Sequence, residues 1–217
     1  MRIGVIQASS QKDKNPVLEK GIRESVPKEY EVVNFGVFPE EDVQISYVQI
    51  ALCAAMLLQT GAVDFIVTGC SSGQGMMLAC NSFPGVVCGY VQDATDAYLF
   101  GRINDGNAIA YPLGYHWGWA AEIGFKDTIR ALFCEPLGNG YPAEEAERKR
   151  RDTAKLKEIN ALCKKTFPEV LGLLDRELVR TALSFGTVYD DICEHGTDQA
   201  LIALLKEYRN ENGQNDR

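Results

Sequence analysis

Phe65-Ile66-Val67-Thr68-Gly69-Cys70-Ser71-Ser72-Gly73-Gln74-Gly75 runs on into Met76-Met77-Leu78-Ala79-Cys80-Asn81. An apolar, β-branched run breaks into a turn of three glycines, one thiol and two hydroxyls, then passes into helix-forming residues. A strand, glycine turn and helix in that order leave backbone N–H groups aimed at whatever lies beyond the strand, with the positive end of a helix dipole behind them. Cys70 at that position sets a base or nucleophile beside an anion hole. The stretch reads as a site and not only as a connection. The near-continuous apolar character of residues 64–68 suits a strand covered on both faces.

Working outward, strand and helix patterns alternate. Residues 2–7 and 30–35 read as strands, with a helix over Pro16–Val26 between them, opened by proline in its first turn. Glu40, Glu41 and Asp42 place negative charge at the start of a longer helix carrying Ile45, Val48, Leu52, Ala55 and Met56 at helical spacing. Beyond the glycine turn, residues 85–91 and 107–111 read as the fourth and fifth strands, with a short helix over 94–100 between them and a covering helix over 119–133. Short connections between alternating strands and helices require parallel crossovers. The expected fold is α/β: a three-layer, doubly wound, Rossmann-like sheet of five parallel strands over residues 1–142. Ligands of such sheets lie outside the carboxyl ends of the strands, where the Cys70 turn falls. After Tyr141-Pro142 the composition turns to Glu, Lys and Arg, and residues 143–217 read as a helical extension of the same unit. It is expected to hold helices over 143–165, 170–185 and 198–208, the first stopped by Pro168.

Composition limits the possible partners. Among 217 residues, 46% are hydrophobic and 24% charged, as in ordinary globular proteins. A net charge of −8 argues against nucleic acid as a partner, since phosphate backbones need a broad basic surface. No run reaches membrane-spanning length, and Met1–Ile6 is too short for a signal peptide. Seven cysteines without a CxxC pair suit the reducing cytoplasm. His116 and His195 alone cannot supply paired zinc-ligand spacing.

The glycine turn admits several readings. No Gly-Lys-Ser/Thr follows, so it is not a P-loop, and Gly69, Gly73 and Gly75 are spaced GxxxGxG where a dinucleotide fingerprint needs GxGxxG. Gly69-Cys70-Ser71-Ser72-Gly73 formally satisfies GxSxG, which would make Ser71 a hydrolase nucleophile served by Asp190 or Asp191 and His195. A binding protein that kept the sheet without the chemistry is the third possibility.

The run from Cys70 to Asn81, continuing Ser82-Phe83-Pro84-Gly85, resembles the signature of the B-type ribose-5-phosphate and galactose-6-phosphate isomerases, Cys-Gly-Thr-Gly-x-Gly-x-Ser-x-Ala-x-Asn with a Pro-Gly pair after it. Asn104-Asp105-Gly106-Asn107-Ala108-Ile109-Ala110 is similar to that family's His-Asn-Asp-x-Asn-x-Leu-Ala, and Tyr47 falls where the family has a sugar-site tyrosine. The basic run Arg148-Lys149-Arg150-Arg151 resembles its arginine-bearing helix. The resemblance spans about residues 1–155 and implies a cofactor-free, metal-free aldose–ketose isomerase acting on a small sugar phosphate through a cis-enediolate. It implies Cys70 as the base and Ser72 as a proton shuttle, with the amides of Ser71, Gly73, Gln74 and Gly75 on the enediolate. Tyr47, Asn104 and Asn107 would bind the sugar. Arg148, Arg150 and Arg151 would hold its phosphate. On the residues alone, Ser9, Ser10 and Lys12 after the first strand read as further anion contacts, and His116 as a replacement for a missing phosphate ligand. The basic helix would serve a neighbour's site, so a homodimer or dimer of dimers is implied. Without the resemblance, Arg148–Arg151 read as a solvated face paired with Glu144, Glu145 and Glu147.

The departures bear on the substrate. Gln7-Ala8-Ser9-Ser10 stands where the family carries an Asp-His pair, Ile103 where it carries the ring-opening histidine, and Tyr115-His116-Trp117 where an arginine is expected. Ile103 cannot carry a proton, which suits a substrate that does not close a ring, such as a tetrose phosphate. Lyxose- and uronate-type sugars stay open as well.

Overall fold

Five short strands form one all-parallel sheet in the order β2-β1-β3-β5-β4. They are β1 (Arg2–Val5), β2 (Glu31–Asn34), β3 (Phe65–Cys70), β4 (Cys88–Tyr90) and β5 (Ala108–Pro112). This is a computed structural model, and it describes residues 1–115 and 117–210. Alternate residues of the strands face opposite layers. Ile3, Val5, Phe65, Val67, Ile109 and Tyr111 share a buried cluster with Leu18 and Ile22 of α1 (Asn15–Arg23), Ala97 of α4 (Ala94–Leu99) and Phe125 and Ile129 of α5 (Ala121–Phe133). Ile66, Ala108 and Ala110 face α2 (Tyr47–Gln59) and α3 (Gln74–Ser82) on the other side.

The extension consists of α6 (Ala146–Cys163), α7 (Phe167–Leu173), α8 (Arg176–Leu183), α9 (Val188–His195) and α10 (Gln199–Asn210). Leu171, Val179, Leu183, Ile192 and Leu205 from these helices lie in the same buried cluster as α2. That explains why α2 buries eight residues in succession, Ile50 to Leu57: the sheet covers one side and α8 and α9 the other. Among the described residues, no helix is long and apolar enough to cross a membrane.

The helices depart from the sequence reading in four places. The second long helix does not begin at Glu40–Asp42. It begins at Tyr47, where Ser46 and Gln49 form a reciprocal cap: the Gln49 N–H donates to Ser46 Oγ (3.4 Å) and the Ser46 N–H to Gln49 Oε1 (2.7 Å). That cap leaves residues 38–46 irregular, and they border the site. The single helix expected over 170–185 is two, because Asp175 accepts the Leu178 N–H (3.1 Å) and starts α8 afresh. Pro168 lies in the first turn of α7 and opens that helix, a position where its missing N–H costs nothing. The α9 helix was not foreseen.

Candidate active site

From β1 the chain turns to β2 on one side and later returns to β3 on the other, so a crevice opens where β1 and β3 diverge. A cavity of about 620 Å³ occupies it. Ala8, Ser9 and Ser10 follow β1, Cys70, Ser71 and Ser72 end β3, Gly75 opens α3, and Gln44 to Tyr47 with Gln49 form the facing wall. Tyr115 comes from the loop after β5.

The turn is held by backbone bonds. Cys70 O accepts the N–H of Leu113 (2.9 Å) and of Gly73 (3.2 Å), and Ser71 O accepts that of Gly114 (2.8 Å). Gly73 has φ +74°, and a Cβ there would lie 2.6 Å from the Tyr90 ring, so only glycine fits. At Gly69 a Cβ would lie 2.4 Å from Tyr111 O. The backbone N–H groups of Ser71, Ser72, Gln74 and Gly75 have no acceptor within the described chain, the last two being first-turn donors of α3. Gly73 differs from the expected oxyanion set, because its N–H is already used by Cys70 O.

Cys70 is half-buried, with its Sγ 4.0 Å from Ser72 Oγ. Gln11 Nε2 donates to Ser71 Oγ (2.7 Å). Ser9 Oγ donates to Ile45 O (3.1 Å) and accepts from Ile45 N (3.2 Å), so it staples the 44–46 wall as well as lining the cavity. Tyr47, the first residue of α2, turns its ring toward Gly75, where a Cβ would lie 3.6 Å away. The Gln74 side chain bonds the Tyr90 phenol and does not line the cavity. Partial burial pushes the Tyr90 phenol above the usual tyrosine range, and the nearby Tyr115, Asp96 and Cys70 push the same way.

Other expected site residues lie elsewhere. Cys70 pairs in register with Pro112 at the end of β5, so Asn107, just before β5, sits at the opposite edge of the sheet. Its Oδ1 accepts the Val87 N–H (2.9 Å) and its Nδ2 donates to Gly85 O (2.8 Å), which occupies the amide with the chain's own backbone. Asn104 ends a π-helical turn at that same edge. Arg148 pairs with Glu145 and Asp152, Arg151 with Glu147, and Arg150 donates to Asn139 O (2.7 Å), so within this chain none of the three reaches the cavity. His116 lies outside the described residues. The hydrolase triad does not form: Asp191 pairs with Arg2 at the start of β1, the edge opposite Ser71, and His195 shares its helix.

Replacing Asn107 with alanine therefore tests structure against substrate binding. Removing these two bonds, one part-buried and one exposed, is expected to cost about 1–2 kcal/mol in chemical denaturation while leaving kcat/KM within about twofold. A fall in kcat/KM without a fall in stability would return Asn107 to the binding set.

Sequence reasoning missed Gln11, Gln44, Ile45, Ser46 and Gln49, and it did not place Tyr115 among the site residues. The Ser46-x-x-Gln49 spacing was a readable capping signal. The others carry none, since only the fold brings the 44–46 wall to the Cys70 turn.

The ribose/galactose isomerase family model matches residues 10–122. Among solved structures, a 4-deoxy-L-threo-5-hexosulose-uronate ketol-isomerase, crystallised with a tartrate, is 37% identical, with a TM-score of 0.92 over 96% of this chain and 99% of its own. A ribose-5-phosphate isomerase from Vibrio parahaemolyticus is 33% identical, with a TM-score of 0.91 over 96% and 99%. A type B ribose 5-phosphate isomerase from Trypanosoma cruzi shares the fold at 22% identity and a TM-score of 0.61, over 74% of this chain and 99% of its own. No curated protein sequence matches.

Proposed function

The chain belongs to the ribose/galactose isomerase family and is a sugar isomerase, and we propose that it interconverts an open-chain sugar acid between its aldose and ketose forms, with Cys70 as the carbon base. Aldose–ketose exchange moves a proton between adjacent carbons through a cis-enediolate, which needs a base beside the carbon and donors on the developing oxyanion. The Cys70 thiol and the N–H groups of Ser71, Ser72 and Gly75 border the same cavity.

One observation carries the choice of substrate: no described residue lining the cavity is basic. A phosphate dianion held without arginine, lysine or imidazolium lacks the charge-assisted bonds it ordinarily receives. A monoanionic carboxylate is served by hydroxyls and amide N–H groups at a helix start, which Ser9, Ser10 and the α3 turn provide. Ile103 fits the same reading. A 4-deoxy-5-ketouronate has no hydroxyl on C4 or C5 to close a furanose or pyranose ring on C1, so no ring-opening acid is needed. The uronate ketol-isomerase among the similar structures supports this reading.

A second reading keeps the sugar phosphate and is favoured by the Vibrio ribose-5-phosphate isomerase. It requires Arg148, Arg150 and Arg151 of a second copy to enter the cavity of the first, in a homodimer. Steady-state assays on 4-deoxy-5-ketouronate and on aldose phosphates of four to six carbons separate the two. The uronate is expected to exceed ribose 5-phosphate by at least about a hundredfold in kcat/KM, and the triple Arg→Ala variant to keep that activity. The reverse order, with activity lost in the triple variant, would establish the phosphate reading.

A further inference from the structure

We infer that Tyr115 is the second proton carrier of this site, serving the substrate's oxygens while Cys70 serves its carbons; the inference rests on the isomerase reading above. Isomerisation moves protons of two kinds. One passes between C1 and C2, and the others must leave one oxygen and reach the next. Among the described residues that line the cavity, only Cys70, Tyr47 and Tyr115 carry a thiol or a phenol; the other polar side chains there are aliphatic hydroxyls and amides. Serine hydroxyls can donate hydrogen bonds, but their alkoxides are too basic to hold the charge between the two halves of the reaction.

Geometry selects between the tyrosines. Tyr47 packs its ring toward Gly75 from the first turn of α2 and forms a wall. Tyr115 follows two residues whose N–H groups are fastened to the catalytic turn itself, Leu113 to Cys70 O and Gly114 to Ser71 O. That fastening depends on a glycine, because a Cβ at position 114 would lie 2.8 Å from Ser71 O and 3.2 Å from Ser71 Cα. The phenol is thus tied, one residue away, to the backbone that positions the thiol. Cys70 ends β3 and Tyr115 lies in the loop after the adjacent β5, and both line the same cavity.

The step balances without a further reactant. In the aldose-to-ketose direction the Cys70 thiolate takes the C2 hydrogen as a proton, and the C–H electron pair becomes the C1=C2 double bond. The carbonyl π pair moves onto O1, which takes the Tyr115 proton. In the second half the Tyr115 phenolate removes the proton from O2, whose O–H pair becomes C2=O. The double-bond pair then takes the proton back from Cys70 onto C1. Both side chains return to their starting states.

The test compares Tyr115→Phe, Tyr47→Phe and Cys70→Ser, each as the full chain, with the best substrate of the panel in deuterium oxide. Conversion and loss of the substrate's α-hydrogen are followed together by proton NMR. For Tyr115→Phe, kcat is expected to fall about a hundredfold with KM within about twofold. Deuterium washed into recovered substrate per conversion should rise, because the enediolate returns more often than it advances. For Tyr47→Phe, KM rises and the washout ratio stays at the wild-type value. An unchanged washout ratio in Tyr115→Phe with kcat within threefold, or the same change in Tyr47→Phe instead, overturns the inference while leaving the isomerase reading in place. Persistent exchange in Cys70→Ser overturns both. A melting temperature of Tyr115→Phe equal to wild type shows that any loss is chemical, as expected for a half-exposed residue.

Discussion

Cys70→Ala abolishes solvent exchange of the substrate α-hydrogen and lowers kcat by roughly a thousandfold, the midpoint of what a positioned general base contributes. The thiol is the last side chain of β3, half-buried, at the floor of a cavity whose other described walls are hydroxyls, amides, two phenols and aliphatic groups. Among the described lining side chains, Cys70 is the one thiol, and it stands at the end of β3. KM is expected to stay within a few-fold, because Ser9, Ser10, Ser72 and the α3 N–H groups are untouched. The serine replacement is the sharper variant, since it keeps the volume and a hydrogen bond and loses only the acidity. Alkylation gives independent access to the same group, provided the label is located by mass spectrometry, because Cys134 and Cys163 are also free and exposed. Substrate should protect Cys70 and leave those two unprotected. A Cys70→Ala protein that still exchanged its substrate's α-hydrogen within tenfold of wild type would remove the thiol from the mechanism.

The parts legible in the sequence are those where one residue type has a single physical use. The β-branched run before Gly69 and the helix formers after Gly75 each favour one conformation, and the glycines between them permit the turn. Gly73 does adopt positive φ with the Tyr90 ring where a Cβ would stand. The five strands follow from the same kind of argument. Residues with two uses were not legible. Asn107 could bind a sugar or its own backbone, and it binds Gly85 and Val87. Arg148 and Arg151 could reach a phosphate or pair along their helix, and in this chain they pair. Arg102 carries a charge that places it at the surface by default, yet it is fully buried, donating to Leu132 O (2.8 Å) and lying 5.6 Å over the Tyr98 ring. The acidic run at Glu40–Asp42 looked like a helix start, and the reciprocal cap of Ser46 and Gln49 decided otherwise. Long-range pairing is hidden from any local pattern, and it determines how the extension is attached.

One ion pair in that attachment is largely buried, and breaking it has the largest expected effect on stability. Arg2, at the start of β1, donates from one Nη to Ala62 O (2.7 Å) and Asp191 Oδ2 (2.7 Å), and from the other to Asp191 Oδ1 (2.7 Å). Glu31 on β2 adds a contact at 3.1 Å. The fork joins the edge of the sheet to α9 across 189 residues of sequence, and the side chains of Arg2 and Asp191 are only 14% and 10% exposed. Hydrogen bonding to Asp191 raises the Arg2 pKa against the opposing pull of burial, so the guanidinium stays charged throughout the working range. Asp191→Ala would strand that charge with one carbonyl and one exposed carboxylate. The cost is expected at about 2–4 kcal/mol, below the figure for a fully buried pair because Glu31 and some water remain. For a chain of this length that corresponds to a melting temperature lower by roughly 5–12 °C. Asp191→Asn, which keeps one acceptor, should lose about half as much. Val188 and Ile192 on α9 and Val179 and Leu183 on α8 are buried in the cluster that covers α2. Loosening α9 should therefore expose the extension to limited proteolysis before the sheet unfolds. The double variant Arg2→Met with Asp191→Leu separates charge stranding from lost packing, since removing both partners should recover more than half of the loss. A melting temperature of Asp191→Ala within 1 °C of wild type, with unchanged proteolysis, would show that apolar burial alone holds the extension.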